Sequence, residues 1–312
     1  MNDPSRRDVV FDSHGTACRG WWYPAAGVTG RAPCVVMAHG FGATRDAALE
    51  PYARRFAGAG WHVLVFDYRH FGASDGEPRQ HLDPWKQIAD YRSAIDAVSY
   101  DDKFKGLVDP ERIAVWGISY SGGHSLIVGA IDWRVKCIVS HLPVIDGLYS
   151  QMRDHGTVGF REITALVQEE RRLRYLTGKH RTVPHSGDPK KEVVTWPHPE
   201  TRPVFMKIKE TVAPRHEHYS TIASNELLWN YDVRPFLPRI LDTPTLMVVA
   251  QGDDLTSWEI EIPAFNEIPT TKKKLFVQGK STHMSVYDNL AHLGIAATEA
   301  ANWLRHWLIE QK

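Results

Sequence analysis

The chain has 312 residues, 43% of them hydrophobic and 24% charged, which suits one large α/β domain carrying an insertion. Thirty-seven basic residues balance thirty-seven acidic ones, so the basic excess of a nucleic-acid binder is missing, and no apolar run approaches the roughly 18 residues that span a bilayer. The opening MNDPSRRDVVFDSHG lacks the apolar core of a secretory leader, and Cys18, Cys34 and Cys137 are odd in number and at no metal-like spacing, so a soluble cytoplasmic protein with reduced, buried thiols is expected.

In chain order, residues 8–12 and 16–23 read as antiparallel strands joined by a turn at His14-Gly15. Residues 34–38 are a short apolar run that ends in His39-Gly-Phe-Gly42. A helix is expected over 47–59, stopped by Gly60, then a strand over 61–67 and an amphipathic helix over 84–98. A buried strand follows at 112–116, then a glycine-rich turn, a helix over 120–131 and a strand over 135–140. Continuous apolar strands alternating with helices predict a mainly parallel sheet covered on both faces. From Ile145 the pattern breaks. Residues 161–176 read as a helix, and 184–203 are rich in proline, histidine and charge. Alternation returns at Thr243, with a buried strand over 243–250, a helix over 258–265, a strand over 274–277 and one long helix over 285–309. The interruption is too long for a loop. It reads as a mainly helical cap, residues 145–235, inserted into an α/β core made of 1–144 and 236–312.

The turn Gly117-Ile-Ser-Tyr-Ser-Gly-Gly123 joins a buried strand to a helix. So tight a bend needs small residues two before and two after its apex, and it lifts the apex hydroxyl above the sheet beside the N–H groups that open the helix. This is a G-x-S-x-G elbow with Ser121, still small, in place of the last glycine, and Ser119 is the candidate nucleophile. A serine hydroxyl reacts at neutral pH only when a base takes its proton and a third group orients that base. Acid and base should follow in the order Asp, His, on loops after later strands. His283 directly follows the 274–277 strand, whereas His292 and His306 fall in the last helix. Asp253 and Asp254 both follow the 243–250 strand. The N–H groups of Tyr120 and, in the H-G-F-G turn, Phe41 are the expected oxyanion donors.

With these blocks in this order, the sequence resembles the α/β-hydrolase superfamily over nearly all its length apart from the cap. The stretch Phe66-Asp-Tyr-Arg-His-Phe-Gly-Ala-Ser-Asp-Gly76 is similar to the D-x-R-x-x-G-x-S loop of these enzymes, which implies that Asp67 and Arg69 brace the sheet and the oxyanion loop. GISYSGGHS and its flanks resemble bacterial esterase-like hydrolases, fungal thiohydrolases and polyketide acyltransferases. The resemblance implies an α/β-hydrolase fold and a serine hydrolase of esters or thioesters, using Ser119, His283 and Asp253 with no cofactor and no metal. Asp253 is favoured because relatives carry a D-x-x-x-P pattern whose last position is Ser257 here. Asp254 could exchange roles with it. Asp146 is a third candidate, since some relatives mount the acid one strand earlier; its other reading is a cap at the entry to the insertion. Acyl transfer, amide cleavage and C–C cleavage can use the same three groups, and a ligand-binding member of the fold without turnover is the reading from outside enzymology. The expected partner is a small acyl substrate and at most a second copy in a homodimer, with no nucleic acid and no membrane.

His39, His141 and Trp229 are candidate pocket residues. Phe160, Tyr175, Trp196, Phe205 and Tyr231 either roof the pocket or pack within the cap, and His124 is expected to be structural. His216-Glu-His218 has no further ligand at metal-like spacing and is expected on a solvated cap surface.

Overall fold

Apolar runs of the first half become strands, the central ones buried on both faces and the first, at the sheet edge, largely exposed. In the computed structural model, which describes residues 6–310, these are β1 (Arg7–Ser13), β2 (Thr16–Tyr23), β3 (Ala32–Ala38), β4 (His62–Phe66), β5 (Val108–Ile118) and β6 (Val135–His141). The first five residues of the segment read as free of a leader lie outside the described residues. Between the strands run α1 (Glu50–Gly58), α2 (Pro84–Tyr100) and α3 (Tyr120–Ile131). The irregular stretch supplies α4 (Gly147–Thr177), β7 (Thr182–Pro184), α5 (Thr201–Thr211), β8 (Tyr219–Thr221), α6 (Ala223–Trp229) and a 3-10 turn at Arg234–Arg239. The chain then returns through β9 (Thr245–Ala250), α7 (Trp258–Glu267), β10 (Lys273–Gln278), α8 (Ser285–Asp288) and α9 (Leu290–Arg305).

The main sheet has eight strands in the order β1-β2-β4-β3-β5-β6-β9-β10. β1, β2 and β4 pair antiparallel in succession, and every other pairing is parallel. Every residue of β3, β4 and β9 is buried. One core, including Phe66, Tyr91, Val115 and Leu126, fills the α2–α3 face; the other, including Tyr52, Phe56, Trp116 and Leu304, fills the α1–α9 face. This is the expected two-sided α/β layering, and it leaves the carboxyl ends of β3, β5, β9 and β10 as the edge where loops can gather catalytic groups.

Local chemistry explains where elements start and where the expectation shifts. α2 begins where Asp83 accepts hydrogen bonds from Trp85 and Lys86 N–H and Pro84 supplies a helix-compatible φ. α1 starts at Glu50 instead of residue 47 because Ala48 lies at φ 64, outside a right-handed helix. The single helix expected over 285–309 is cut at Asn289, whose extended backbone and side-chain oxygen cap the N–H groups of Ala291 and His292 and restart the helix as α9. In the irregular stretch, the helix expected over 161–176 is the second half of α4, bent at Gly156, φ 61 and ψ −179. β7 and β8 form a separate antiparallel pair too short to leave an alternation in the sequence. Among the described residues, no helix is long and apolar enough to cross a membrane.

Candidate active site

The turn after β5 is built around what will not fit. A Cβ on Gly117 would lie 1.9 Å from the Ser121 carbonyl oxygen, and one on Gly122 would lie 2.7 Å from the His141 oxygen. Ser119 sits at φ 59 and ψ −121, a strained position for a residue with a side chain. Its N–H donates to the His141 carbonyl at 2.8 Å, tying the apex to the end of β6. Ser121 is tolerated in place of glycine, and its buried hydroxyl bonds the Tyr68 hydroxyl at 2.8 Å. α3 starts at the next residue, so the Tyr120 N–H has no acceptor within the helix.

Three side chains from distant loops meet at this apex. His283 Nε2 lies 3.1 Å from Ser119 Oγ, and His283 Nδ1 lies 2.9 Å from Asp253 Oδ2. The other carboxylate oxygen of Asp253 accepts the N–H groups of Leu255 and Thr256, each at 3.0 Å. All three side chains are buried. Burial alone would raise the Asp253 pKa, but the adjacent His283 imidazole and the Thr256 donor hold it below the usual carboxylate value. Asp254 is exposed; its backbone carbonyl accepts from Arg153. Asp146 caps α4, accepting from Tyr149 N–H at 2.9 Å, and pairs with Arg234. Of the three candidate acids, only Asp253 faces the imidazole.

Two neighbours were not legible in the sequence. Glu261, in the first turn of α7, is fully buried and accepts from Thr256 Oγ1 at 3.0 Å. Burial, followed by the negative charge of Asp253, pushes its pKa well above the ordinary value. Tyr287, on the single turn α8, lies nearly parallel to the His283 ring at 6.0 Å between centres. Its hydroxyl reaches Ser119, and burial keeps the phenol protonated.

The loop after β4 fills the bracing role expected of it. Asp67 accepts the N–H groups of Arg45 at 2.7 Å and Ala73 at 3.0 Å and faces the Arg45 guanidinium at 3.5 Å. Arg69 grips Asp90 at 2.6 and 2.8 Å and reaches the Ser13 hydroxyl at 2.8 Å.

Above Ser119 lies a cavity of about 50 Å³ with Gly40 and Phe41 on the sheet side and Trp196, Phe205, His185 and His218 opposite. The three residues selected for the pocket from sequence lie elsewhere. His39 is buried beneath the loop with Nδ1 3.0 Å from the Gly40 carbonyl, and burial takes its pKa down to about 4. His141 packs edge-on against Tyr52 and Trp116 and is likewise lowered to about 3. Trp229 packs on Phe160. Of the other aromatics, Tyr175 is exposed and Tyr231 joins the core. His124 bonds Tyr231 and Gln87 at 2.9 and 3.0 Å, the structural role expected of it.

The expectation of a solvated His216-Glu-His218 surface is corrected. His216 is fully buried and His218 half-buried, because the β7–β8 pair folds His185 against them, with His185 N–H donating to the His218 carbonyl at 3.0 Å. Spacing along the chain could not show this third histidine.

Residues 33–290 match a family model described as alpha/beta hydrolase fold. The quorum-quenching protein AidA of Acinetobacter baumannii is 43% identical over 146 residues, a match that spans 46% of each chain. Thiohydrolase aneE of Aspergillus aculeatus is 30% identical over 266 residues, 80% of this chain and 79% of its own length. Polyketide transferase af380 of Aspergillus fumigatus is 27% identical over 284 residues, 90% of this chain and 92% of its own. The crystal structure of the alpha/beta hydrolase GrgF from Penicillium superposes with a TM-score of 0.82, covering 97% of this chain and 99% of that one; at 24% identity the likeness speaks to the fold alone.

Proposed function

The chain belongs to the α/β-hydrolase fold family, and from that premise we propose that it is a serine hydrolase opening a carboxylic ester or thioester through an acyl-enzyme on Ser119. The observation that carries the proposal is the buried run of contacts from Ser119 Oγ to His283 Nε2 at 3.1 Å and from His283 Nδ1 to Asp253 at 2.9 Å. In this reading His283 removes the Ser119 proton as the oxygen attacks the substrate carbonyl. Asp253 holds the imidazole in the Nδ1–H tautomer and stabilises its positive charge. The Phe41 and Tyr120 N–H groups receive the oxyanion, a contribution of roughly 10²–10³ in turnover for one such donor. His283 then protonates the leaving alcohol or thiol and activates the water that frees the acid. Residues 145–235 act as a cap over this site.

The cavity is small. Its volume of about 50 Å³ falls well short of the roughly 300–1,000 Å³ of a site for a drug-sized ligand, so short acyl groups fit as the cap stands and longer ones require it to open. The thiohydrolase name of one relative favours thioesters within the proposed range. A second reading, acyl transfer to an acceptor other than water, is favoured by the polyketide transferase among the relatives. We further place the protein in the cytoplasm, in keeping with three free, buried cysteines. A second copy of the chain, in a homodimer, is the only protein partner inferred.

p-Nitrophenyl esters and acyl-thioesters of increasing chain length, assayed with and without a small alcohol, test these readings together. Hydrolysis should be fastest for the shortest acyl groups and should disappear in Ser119→Ala. A new ester formed with the alcohol at the expense of free acid would shift the assignment to transfer. Undiminished turnover by Ser119→Ala would remove the proposed nucleophile.

A further inference from the structure

The cap side of the pocket carries three imidazoles that the proposed reaction does not use. His216 and His218 stand two residues apart just before β8, and His185 follows directly on β7. One nitrogen of each ring lies within 4.8 Å of the other two. His216 Nε2 and His218 Nδ1 are 3.3 Å apart. That is long for a hydrogen bond, yet it matches the separation, about 3.3 Å, of two nitrogens bound tetrahedrally to one ion at about 2.0–2.1 Å. The ring centres are 5.3, 5.6 and 6.1 Å apart. Three imidazoles sharing one ion in their ring planes would have centres about 5.2 Å apart, so a small rotation of one ring closes the set.

Two further features fit a metal site. The far nitrogen of His218, Nε2, bonds Ser186 Oγ at 2.8 Å, and Ser186 Oγ accepts from Thr201 at 2.6 Å. Support of this kind fixes the orientation of ligand imidazoles. His185 Nε2 is buried and, among the described residues, has no hydrogen-bond partner, an unfavourable arrangement that a bound ion would relieve. Burial lowers the pKa of all three rings, helped by the neighbouring imidazoles at His185 and His216 and by the Arg202 and Lys209 cations at His218, and so favours the neutral form that binds metal.

We propose that His185, His216 and His218 form a binding site for a divalent transition-metal ion, Zn²⁺ foremost, in the wall of the pocket, with its fourth position open to an oxygen ligand. A set of nitrogens suits zinc, copper or nickel and disfavours magnesium or calcium. His185 and His218 line the same cavity as Ser119, so the open position takes a water or a substrate oxygen from that cavity. Three neutral ligands leave the ion's charge uncompensated, which favours an anionic oxygen there. The His185 ring also lies over Gly42, where a Cβ would come within 1.9 Å of it, so loading the site would fasten the cap to the H-G-F-G turn.

The test uses the full chain after chelator treatment and needs no substrate, so its result is separate from the fate of the hydrolase proposal. Calorimetric titration with Zn²⁺ should show one equivalent, and Co²⁺ should give the visible bands of a tetrahedral site. Each of His185→Ala, His216→Ala and His218→Ala should weaken binding by about 100-fold or more. X-ray absorption on the unsubstituted Zn²⁺ protein should count three imidazoles at about 2.0 Å, a readout that does not depend on the variants folding. Absence of binding by the folded protein, or a count of fewer than three imidazoles, would overturn the proposal. So would binding that survives the histidine variants but is lost in Asp254→Asn, because that result places the ion at the His198, Glu200 and Asp254 group.

Discussion

The sheet side of the pocket and the side facing it are built by opposite routes. On the sheet side, each residue proposed to act in the reaction sits after a parallel strand: Phe41 after β3, Ser119 after β5, Asp253 after β9 and His283 after β10. β3, β5 and β9 are paired on both sides and β10 on one, so a side chain placed at their ends inherits the rigidity of the sheet. On the facing side, Trp196, His185 and His218 come from irregular segments and Phe205 from α5, all within the stretch between β6 and β9. Under the proposed function this is a division of labour: the chemistry rests on strand ends, and the contacts that select a substrate rest on the inserted stretch.

The largest predicted effect sharpens the sheet side. Asp253→Asn should lower kcat by about 10²–10⁴-fold, because an asparagine in contact with Nδ1 favours the wrong imidazole tautomer. Asp254→Asn, on the exposed neighbour, should stay within about twofold. Comparable losses at both positions in steady-state kinetics would erase the distinction drawn from burial.

A second comparison probes the seam between the two sides. Gly42 lies at φ +60 with the His185 ring where a Cβ would go, while Gly27 lies at φ +69 with open space around it. Gly27→Ala should cost only the backbone term, about 1–2 kcal/mol. Gly42→Ala should cost about 2–4 kcal/mol, since it adds displacement of a buried ring. Urea denaturation of both variants measures the difference, and equal costs would mean that the cap does not seat on this turn.

A third effect is spread over both sides and depends on pH. His39 and His218 are lowered to about 4, and His141 and His216 to about 3, all first by burial. Their folded pKa values lie below the unfolded value near 6.5, so the unfolded chain binds more protons as pH falls. Their stabilising contribution is complete above pH 6.5 and is lost progressively as pH drops toward 4, at up to about 1.4 kcal/mol per pH unit for each histidine. The Tm should therefore fall steadily between pH 6.5 and 4.5. A flat profile there would mean that these rings are not held neutral.

The same contrast decides what could be read from sequence. The central strands and α3 were legible because continuous apolar runs and the small residues around Ser119 are demanded locally, by burial and by the close approach of backbone at Gly117 and Gly122. Asp253 and His283 were legible because each follows a recognisable strand. The first half of α4 was missed because polar residues and Gly156 obscure its period. β7 and β8 were missed because three residues cannot display alternation. The misreading of His216 and His218 followed from that, since their burial depends on a pairing with distant chain. Glu261 and Tyr287 were hidden for another reason: a glutamate in a first helical turn and a tyrosine in a short helix look ordinary until the core closes around them.

Reaction with a fluorophosphonate, followed by peptide mapping, tests the central claim most directly. A hydroxyl activated by the His283–Asp253 pair should be labelled rapidly in one place, Ser119, with labelling abolished in Ser119→Ala and strongly slowed in His283→Ala. Label found on another residue, or undiminished in Ser119→Ala, would contradict the account.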